Sequence, residues 1–184
     1  MLETEFKCII NKETYERLKK EFRWNSCREQ INHYYVDKNG IIVSKRIMVR
    51  VREIDGTYKL QVKFHKNSDS PLQICEENEY KFYGIPKTIS AADAKKYINE
   101  DTELHLAGKL RTLRRSCKWG LNTEICLDKS TYVDTTDYEI EVEYSGEVDK
   151  ELLGKLSELG VEFKQNSVGK FARFWQRCKE LNMV

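Results

Sequence analysis

Apolar and polar residues alternate one for one along much of this chain, the two-residue period of strands whose faces differ. The opening stretch puts Glu3, Glu5 and Lys7 on one face, with Leu2, Thr4, Phe6 and Cys8 on the other. Arg46, Arg50 and Arg52 share a face opposite Ile47, Val49 and Val51. Lys59, Gln61 and Lys63 alternate with Tyr58, Leu60, Val62 and Phe64, and Glu139, Glu141 and Glu143 alternate with Tyr138, Ile140, Val142 and Tyr144. Some strands therefore carry mainly acids and others mainly bases.

Between these segments the pattern predicts further elements. Asn11 caps a helix to about Trp24, with Tyr15, Leu18 and Phe22 along one side. Gln30 to Val36 reads as a strand, Asp37 to Gly40 as a turn, and Ile41 to Ser44 as a short strand. Asp55-Gly56 closes a hairpin between Arg46 to Glu53 and Thr57 to Phe64. A polar loop at Lys66 to Ser70 leads to a strand over Gln73 to Tyr83, and Ser90 caps a helix lasting to about Asn99. Strands follow at Glu103 to Lys118, Asn122 to Asp128 and Tyr138 to Tyr144. Asp149 caps a leucine-rich helix that stops at Gly160, and Gly169 to Leu181 forms a last, aromatic-rich helix.

The hairpin gathers Arg50, Arg52, Lys59 and Lys63. Like charges across paired strands repel, so such a cluster arises on a flat surface by accident or around an anion by use. Bulk charge does not suggest a polymer: 32 Lys and Arg face 30 Asp and Glu, a net charge of +2, with the signs interleaved. That balance argues against a nucleic-acid partner. Charged residues are 34% of the 184 and apolar ones 40%, which suits a barrel with a charged interior and equally a well-solvated surface.

Six cysteines include no Cys-x-x-Cys pair, and His33, His65 and His105 lie in no zinc-like spacing with them. There is no run of about 18 apolar residues, and the chain starts directly in a strand. The expectation is a reduced, cytoplasmic protein with free thiols and no membrane association. Trp24, Trp119 and Trp175 read as packing residues, with the option that one stacks on an organic group at a tunnel mouth.

In order, Glu3-Thr4-Glu5-Phe6-Lys7, Arg50-Val51-Arg52, Leu60 to Lys63, Thr112 to Arg114, Glu139 to Glu143, and Lys170 with Phe171 and Arg173 resemble the CYTH, or triphosphate tunnel metalloenzyme, superfamily. The resemblance covers nearly the whole chain. It implies an α+β fold forming one domain over residues 1–184: a closed antiparallel barrel of eight strands around a tunnel, with helices packed on the outside.

The resemblance also implies a chemistry. Phosphate contacts fall on Lys7, Arg50, Arg52, Lys63, Arg114 and Lys170, with Arg173 second and Lys59 and Arg46 off the pattern. Arginine's planar fork grips phosphate oxygens in pairs, whereas lysine acts as a point charge. Metal ligation by Mg²⁺ or Mn²⁺ falls on Glu3, Glu5, Glu139 and Glu141, with Asp128 and Glu143 as further candidates. Catalysis rests on Glu5, Lys7 and Arg52.

The implied reaction is metal-dependent hydrolysis of the terminal phosphoanhydride of inorganic triphosphate or a small organic triphosphate. Class IV adenylate cyclase and a non-catalytic polyphosphate- or nucleotide-binding module are the alternatives. A homodimer is allowed by the resemblance. Two features depart from the family: Gly169 stands where a Ser often precedes the late Lys, and Cys75 to Glu79 fit only loosely, with Glu77 and Glu79 expected to touch neither the acidic nor the arginine strand.

Overall fold

A computed structural model describes residues 2–65, 72–163 and 168–183. Among the described residues nine strands run β1 (Leu2–Ile10), β2 (Ser26–Asp37), β3 (Ile47–Ile54), β4 (Thr57–His65), β5 (Leu72–Phe82), β6 (Thr88–Ile89), β7 (Leu104–Trp119), β8 (Thr123–Tyr132) and β9 (Thr135–Tyr144). Helices are α1 (Lys12–Glu21), α2 (Ile41–Ser44), α3 (Ala91–Ile98), α4 (Lys150–Glu158) and α5 (Lys170–Glu180). The expected loop at Lys66 to Ser70 lies outside the described residues.

Eight strands close on themselves in the order β2-β3-β4-β5-β1-β9-β8-β7, with β7 pairing back to β2, and β6 adds two residues to the side of β7. Every pairing is antiparallel. Closure removes open sheet edges, and it sends alternate residues of each strand into the lumen.

Side-chain chemistry fixes the helix starts. Asn11 accepts from the Thr14 N–H, Ser90 from that of Asp93, and Asp149 from those of Glu151 and Leu152, each satisfying donors left free in a first turn. The β3–β4 hairpin turns through Asp55 and Gly56 at φ 49° and 73°, the left-handed pair that a tight hairpin requires.

Two local expectations need correction. Ile41–Ser44 is a helical turn, not a strand, because the Asp37 carboxylate accepts the N–H groups of Asn39, Ile41 and Ile42 at 3.0, 2.9 and 2.9 Å. Those three bonds curl the backbone and bury Ile42. Arg46 precedes β3 at φ 56°, so it lies outside the strand that carries Arg50 and Arg52, although it lines the same cavity.

Apolar residues form three layers. Outside one wall, Tyr15, Leu18 and Phe22 of α1 and Leu152 and Leu156 of α4 pack on Ile125, Leu127, Ile140 and Val142. Outside the opposite wall, Ile42 of α2 and Ala94 and Ile98 of α3 cover Val49, Val51, Leu60 and Val62. The third layer lies on the lumen side, where Phe174 and Cys178 of α5 meet Tyr34, Met48, Leu110 and Tyr132. α5 is thus seated against the interior faces of strands. Gly108 makes room for it: a Cβ there would stand 2.9 Å from Phe174 Cζ.

Candidate active site

Strand parity decides what faces the lumen. Ladder partners share a face, and the pairs Lys7 with Glu141, Asp128 with Glu139, Arg114 with Asp128, Asn32 with Arg52, Arg50 with Gln61, Lys63 with Glu77 and Gln73 with Glu5 carry the charged faces around the barrel. They surround a cavity of about 790 Å³.

One wall is acidic. Asp128 and Glu139 are both 0% exposed. Arg114 forks onto Asp128 through Nε and Nη2 at 2.9 and 2.7 Å, also donates to Glu141, and stands 3.8 Å from Glu143. Lys170 reaches down from the start of α5, 2.9 Å from Asp128 and 2.6 Å from Glu141, and donates to Glu139 as well. Arg173, one turn later, holds Asp137 and Glu139 at 2.8 and 2.7 Å. Lys7 lies 2.6 Å from Glu5 and 3.6 Å from Glu141.

The opposite wall is basic. Arg50 donates through Nε to Gln61 at 2.8 Å, and Arg52 to Asn32 at 3.0 Å. Both partners are neutral amides, and among the described residues neither guanidinium has a carboxylate within 4.0 Å. Lys63 meets Glu77 at 2.7 Å. The walls therefore differ in kind: the acidic one balances its charges internally, and the basic one keeps two buried or half-buried cations on neutral partners.

Proton affinities follow this division. Burial raises Glu139, with Glu141 beside it and Lys170 opposing, to about 7. Burial would raise Glu141 too, but Lys170, Arg114 and Lys7 hold it well below the usual carboxylate range. Asp128 is lowered in the same way, against burial, by Arg114 and Lys170. Lys7 is raised because Glu5, Glu141 and Glu139 outweigh its burial. Burial and the neighbouring Arg50 and Arg114 push Arg52 down to about 9, the behaviour of a cation short of counter-charge.

Two carboxylate groups have ligand atoms mutually within 4.8 Å: Glu5, Glu141 and Glu143, and Asp128, Glu139 and Glu141. All-oxygen donors of this kind fit a hard divalent cation. Lys170 sits among the second group and Lys7 and Arg114 touch the first, but Glu5, Glu141 and Glu143 all line the cavity whereas Asp128 and Glu139 do not, so the first is the more accessible cradle. Glu3 is at the same end of β1, but its side chain lies outside the described residues.

The structure thus gathers Glu5, Lys7, Arg114, Asp128, Glu139, Glu141, Glu143 and Lys170 into one network, with Arg50, Arg52 and Lys63 across the cavity. Arg173 belongs to the network through Glu139. Lys59 instead pairs with Glu79 at 2.6 Å on the outer rim. Glu77 is bound to Lys63 of β4, the strand between it and the arginine strand β3, and is held low, against burial, by Lys63 and Arg50. Gln61, which the sequence reading names only as an alternating residue of its strand, is bonded to both Arg50 and Glu79, and Asn32 and Asp137 carry no assignment there. Their signal was parity, since each shares its strand face with a ladder partner of an assigned residue.

The profile of the CYTH domain family matches residues 1–175. The triphosphatase candidate YjbK of Bacillus subtilis (strain 168) is 25% identical over 149 residues, 77% of each chain. Among solved structures, the Hippeastrum adenylyl cyclase candidate HpAC1, described as having a dominant triphosphatase activity, is similar with a TM-score of 0.75 at 21% identity, over 95% of this chain and 96% of that one. An adenylate cyclase candidate from Bacillus halodurans gives a TM-score of 0.69 at 20% identity, over 92% and 95%. A barrel closed by β2 and β7, acids on β1, β8 and β9 facing bases on β3 and β4, and a family match over nearly the whole length converge, and the chain belongs to the CYTH domain family.

Proposed function

We propose that this protein is a divalent-metal-dependent triphosphatase that hydrolyses the terminal phosphoanhydride of inorganic triphosphate or of a small organic triphosphate. One observation carries the reading: Arg50 and Arg52 face the cavity on neutral amide partners, across from the acidic wall. A polyanion completes the first wall and a metal ion the second. The triphosphatase descriptions given to YjbK and HpAC1 support the same reading.

In this reading Arg50, Arg52 and Lys63 grip the phosphate chain, and their fixed amide and carboxylate partners keep them oriented before it arrives. Glu5, Glu141 and Glu143, and Glu3 by its place on β1, would hold Mg²⁺ or Mn²⁺. When bound, that ion offsets charge on the phosphoryl oxygens and lowers the pKa of a coordinated water. Lys7, beside Glu5 and Glu141, and Arg114, which reaches Glu141 from β7, would neutralise charge on the reacting phosphoryl group. Lys170 links the metal wall to α5 and can exchange a carboxylate for a phosphate oxygen without leaving the lumen.

The test is phosphate release from inorganic triphosphate and ATP with Mg²⁺, Mn²⁺ or chelator, with cyclic AMP followed in parallel. Metal-dependent release, reduced at least about 100-fold in Glu5→Gln and Arg52→Ala, is expected. Cyclic AMP as the main product from ATP would replace hydrolysis by cyclisation. Tight triphosphate binding without turnover under any metal would make the protein a binding module.

A further inference from the structure

Glu79 of β5 stands outside the acidic network, yet the β4–β5 ladder pairs it with Gln61. Its carboxylate stays at the rim, where the side chain is 41% exposed. Two hydrogen bonds hold it there: Lys59 Nζ donates to Oε1 at 2.6 Å, and Gln61 Nε2 donates to Oε2 at 2.8 Å. Gln61 is buried, and its other end, Oε1, accepts from Arg50 Nε at 2.8 Å. A continuous chain thus runs from the solvent-exposed rim, through one buried amide, to a guanidinium of the basic wall. Arg50 lines the cavity, whereas Gln61 and Glu79 stand behind it.

The chemistry of its two neighbours decides how the Gln61 amide lies. A guanidinium only donates and an ionised carboxylate only accepts, whereas a primary amide accepts at one end and donates at the other. With its oxygen on Arg50 and its nitrogen on Glu79, Gln61 satisfies both. Turned over, it would set donor against donor at Arg50 and acceptor against acceptor at Glu79, leaving buried polar atoms unpaired. Without Glu79, the buried Nε2 loses its acceptor, and any turn of the amide to find another is made at the expense of the bond to Arg50.

Glu79 is suited to this task across the neutral range. Burial would raise its carboxyl, but the bonds from Lys59 and Gln61 hold it below the usual carboxylate range, so it stays an acceptor. Arg52 offers the contrast: its Nε donates to Asn32 at 3.0 Å, and among the described residues no carboxylate anchors that amide. As an exposed ion pair, Lys59 with Glu79 contributes little by itself.

We propose that Glu79 is a positioning residue for anion binding, which locks the Gln61 amide and through it the Arg50 guanidinium, leaving the terminal nitrogens of Arg50 to the phosphate chain. The proposal rests on the triphosphatase reading for the identity of the anion. A carboxylate beside a polyanion site opposes binding through its charge, so the two effects of Glu79 differ in sign.

The experiment is calorimetric titration with inorganic triphosphate in chelator. It uses wild type, Glu79→Ala, Glu79→Gln, Lys59→Ala, Gln61→Ala and the double variant Glu79→Ala/Gln61→Ala, each shown to be folded by its urea curve. On charge alone, Glu79→Ala would bind more tightly and Lys59→Ala more weakly. Positioning instead makes Glu79→Ala bind about 3-fold to 10-fold more weakly, the worth of one hydrogen bond. Glu79→Gln, whose amide oxygen still accepts from Gln61, should stay near wild type, and so should Lys59→Ala. In the Gln61→Ala background, Glu79→Ala should have no further effect. Tighter binding by Glu79→Ala, or additive losses in the double variant, would overturn the positioning role and leave the parent reading intact. The predicted pattern without turnover of any triphosphate keeps the positioning role and removes the hydrolase. A wild type that binds no triphosphate removes both.

Discussion

Lys170 Nζ stands 2.6 Å from Oε1 of Glu141, joining the first residue of α5 to the middle of β9 across the barrel interior. The same ammonium contacts Asp128 and Glu139. Three buried carboxylates thereby share one cation from a helix that enters the lumen, besides their contacts to Arg114, Arg173 and Lys7. Burying such a group is costly unless every charge is paired, so the charge network and the placement of α5 depend on each other.

The first prediction follows. Lys170→Met leaves Asp128, Glu139 and Glu141 short of a cation, and breaking a buried pair from one side costs about 3–5 kcal/mol. Urea unfolding with chelator should show a loss of that order. Added Mg²⁺ or Mn²⁺ should then stabilise the variant more than wild type, because the opened carboxylate group takes a metal in place of the ammonium. Equal metal-induced shifts in both proteins would show that this group does not accept the ion.

Glu139 gives a pH dependence. Its folded pKa, raised to about 7, exceeds the roughly 4.3 of an unfolded Glu. Between those values the unfolded chain releases this proton while the folded one keeps it. The contribution is therefore fully present below about pH 4.3 and is lost as pH rises through about 7. Glu139→Gln lacks that loss. Melting temperatures in chelator should show wild type falling relative to the variant between pH 5 and 8, by a few degrees; parallel curves would refute the assignment.

The outer architecture was readable because its signals were periodic. The sequence pattern located the cores of all eight barrel strands, and the caps at Asn11, Ser90 and Asp149 sit where their side chains bond the next turn. Ile41 to Ser44 misled because four apolar or small residues have no period of their own, and Asp37, outside the segment, decides their shape. The charged network was partly legible: parity placed Glu141 and Lys7 on lumen faces. No parity argument joins Lys170 to Asp128, since that contact depends on where α5 docks, and docking is set by Phe174 against Tyr34 and Leu110.

That docking is testable at a distance from every charged group. A Cβ on Gly108 would press on Phe174 Cζ at 2.9 Å, and the φ of 149° there is one that L side chains rarely adopt. Gly108→Ala should destabilise by about 1–3 kcal/mol. Because α5 carries Lys170, the variant should also lose the proposed triphosphatase activity well below its melting temperature. A variant with full activity and unchanged stability would show that α5 does not sit as described.

The basic wall makes the last prediction. Arg50 and Arg52 rest on Gln61 and Asn32, neutral partners that orient without discharging them, and like-charge repulsion between buried cations is relieved only when an anion arrives. Arg52→Gln should therefore weaken triphosphate binding in chelator by about 10-fold or more, the cost of a charge-assisted contact. The same change relieves repulsion in the empty protein, where Arg50 and Arg114 lower the Arg52 pKa, so apo stability should hold or rise. Calorimetric titration with inorganic triphosphate and a urea curve on the same samples measure both. Weaker binding with retained stability is the signature of a residue kept for its ligand; a fall in stability with unaltered binding would make Arg52 part of the scaffold.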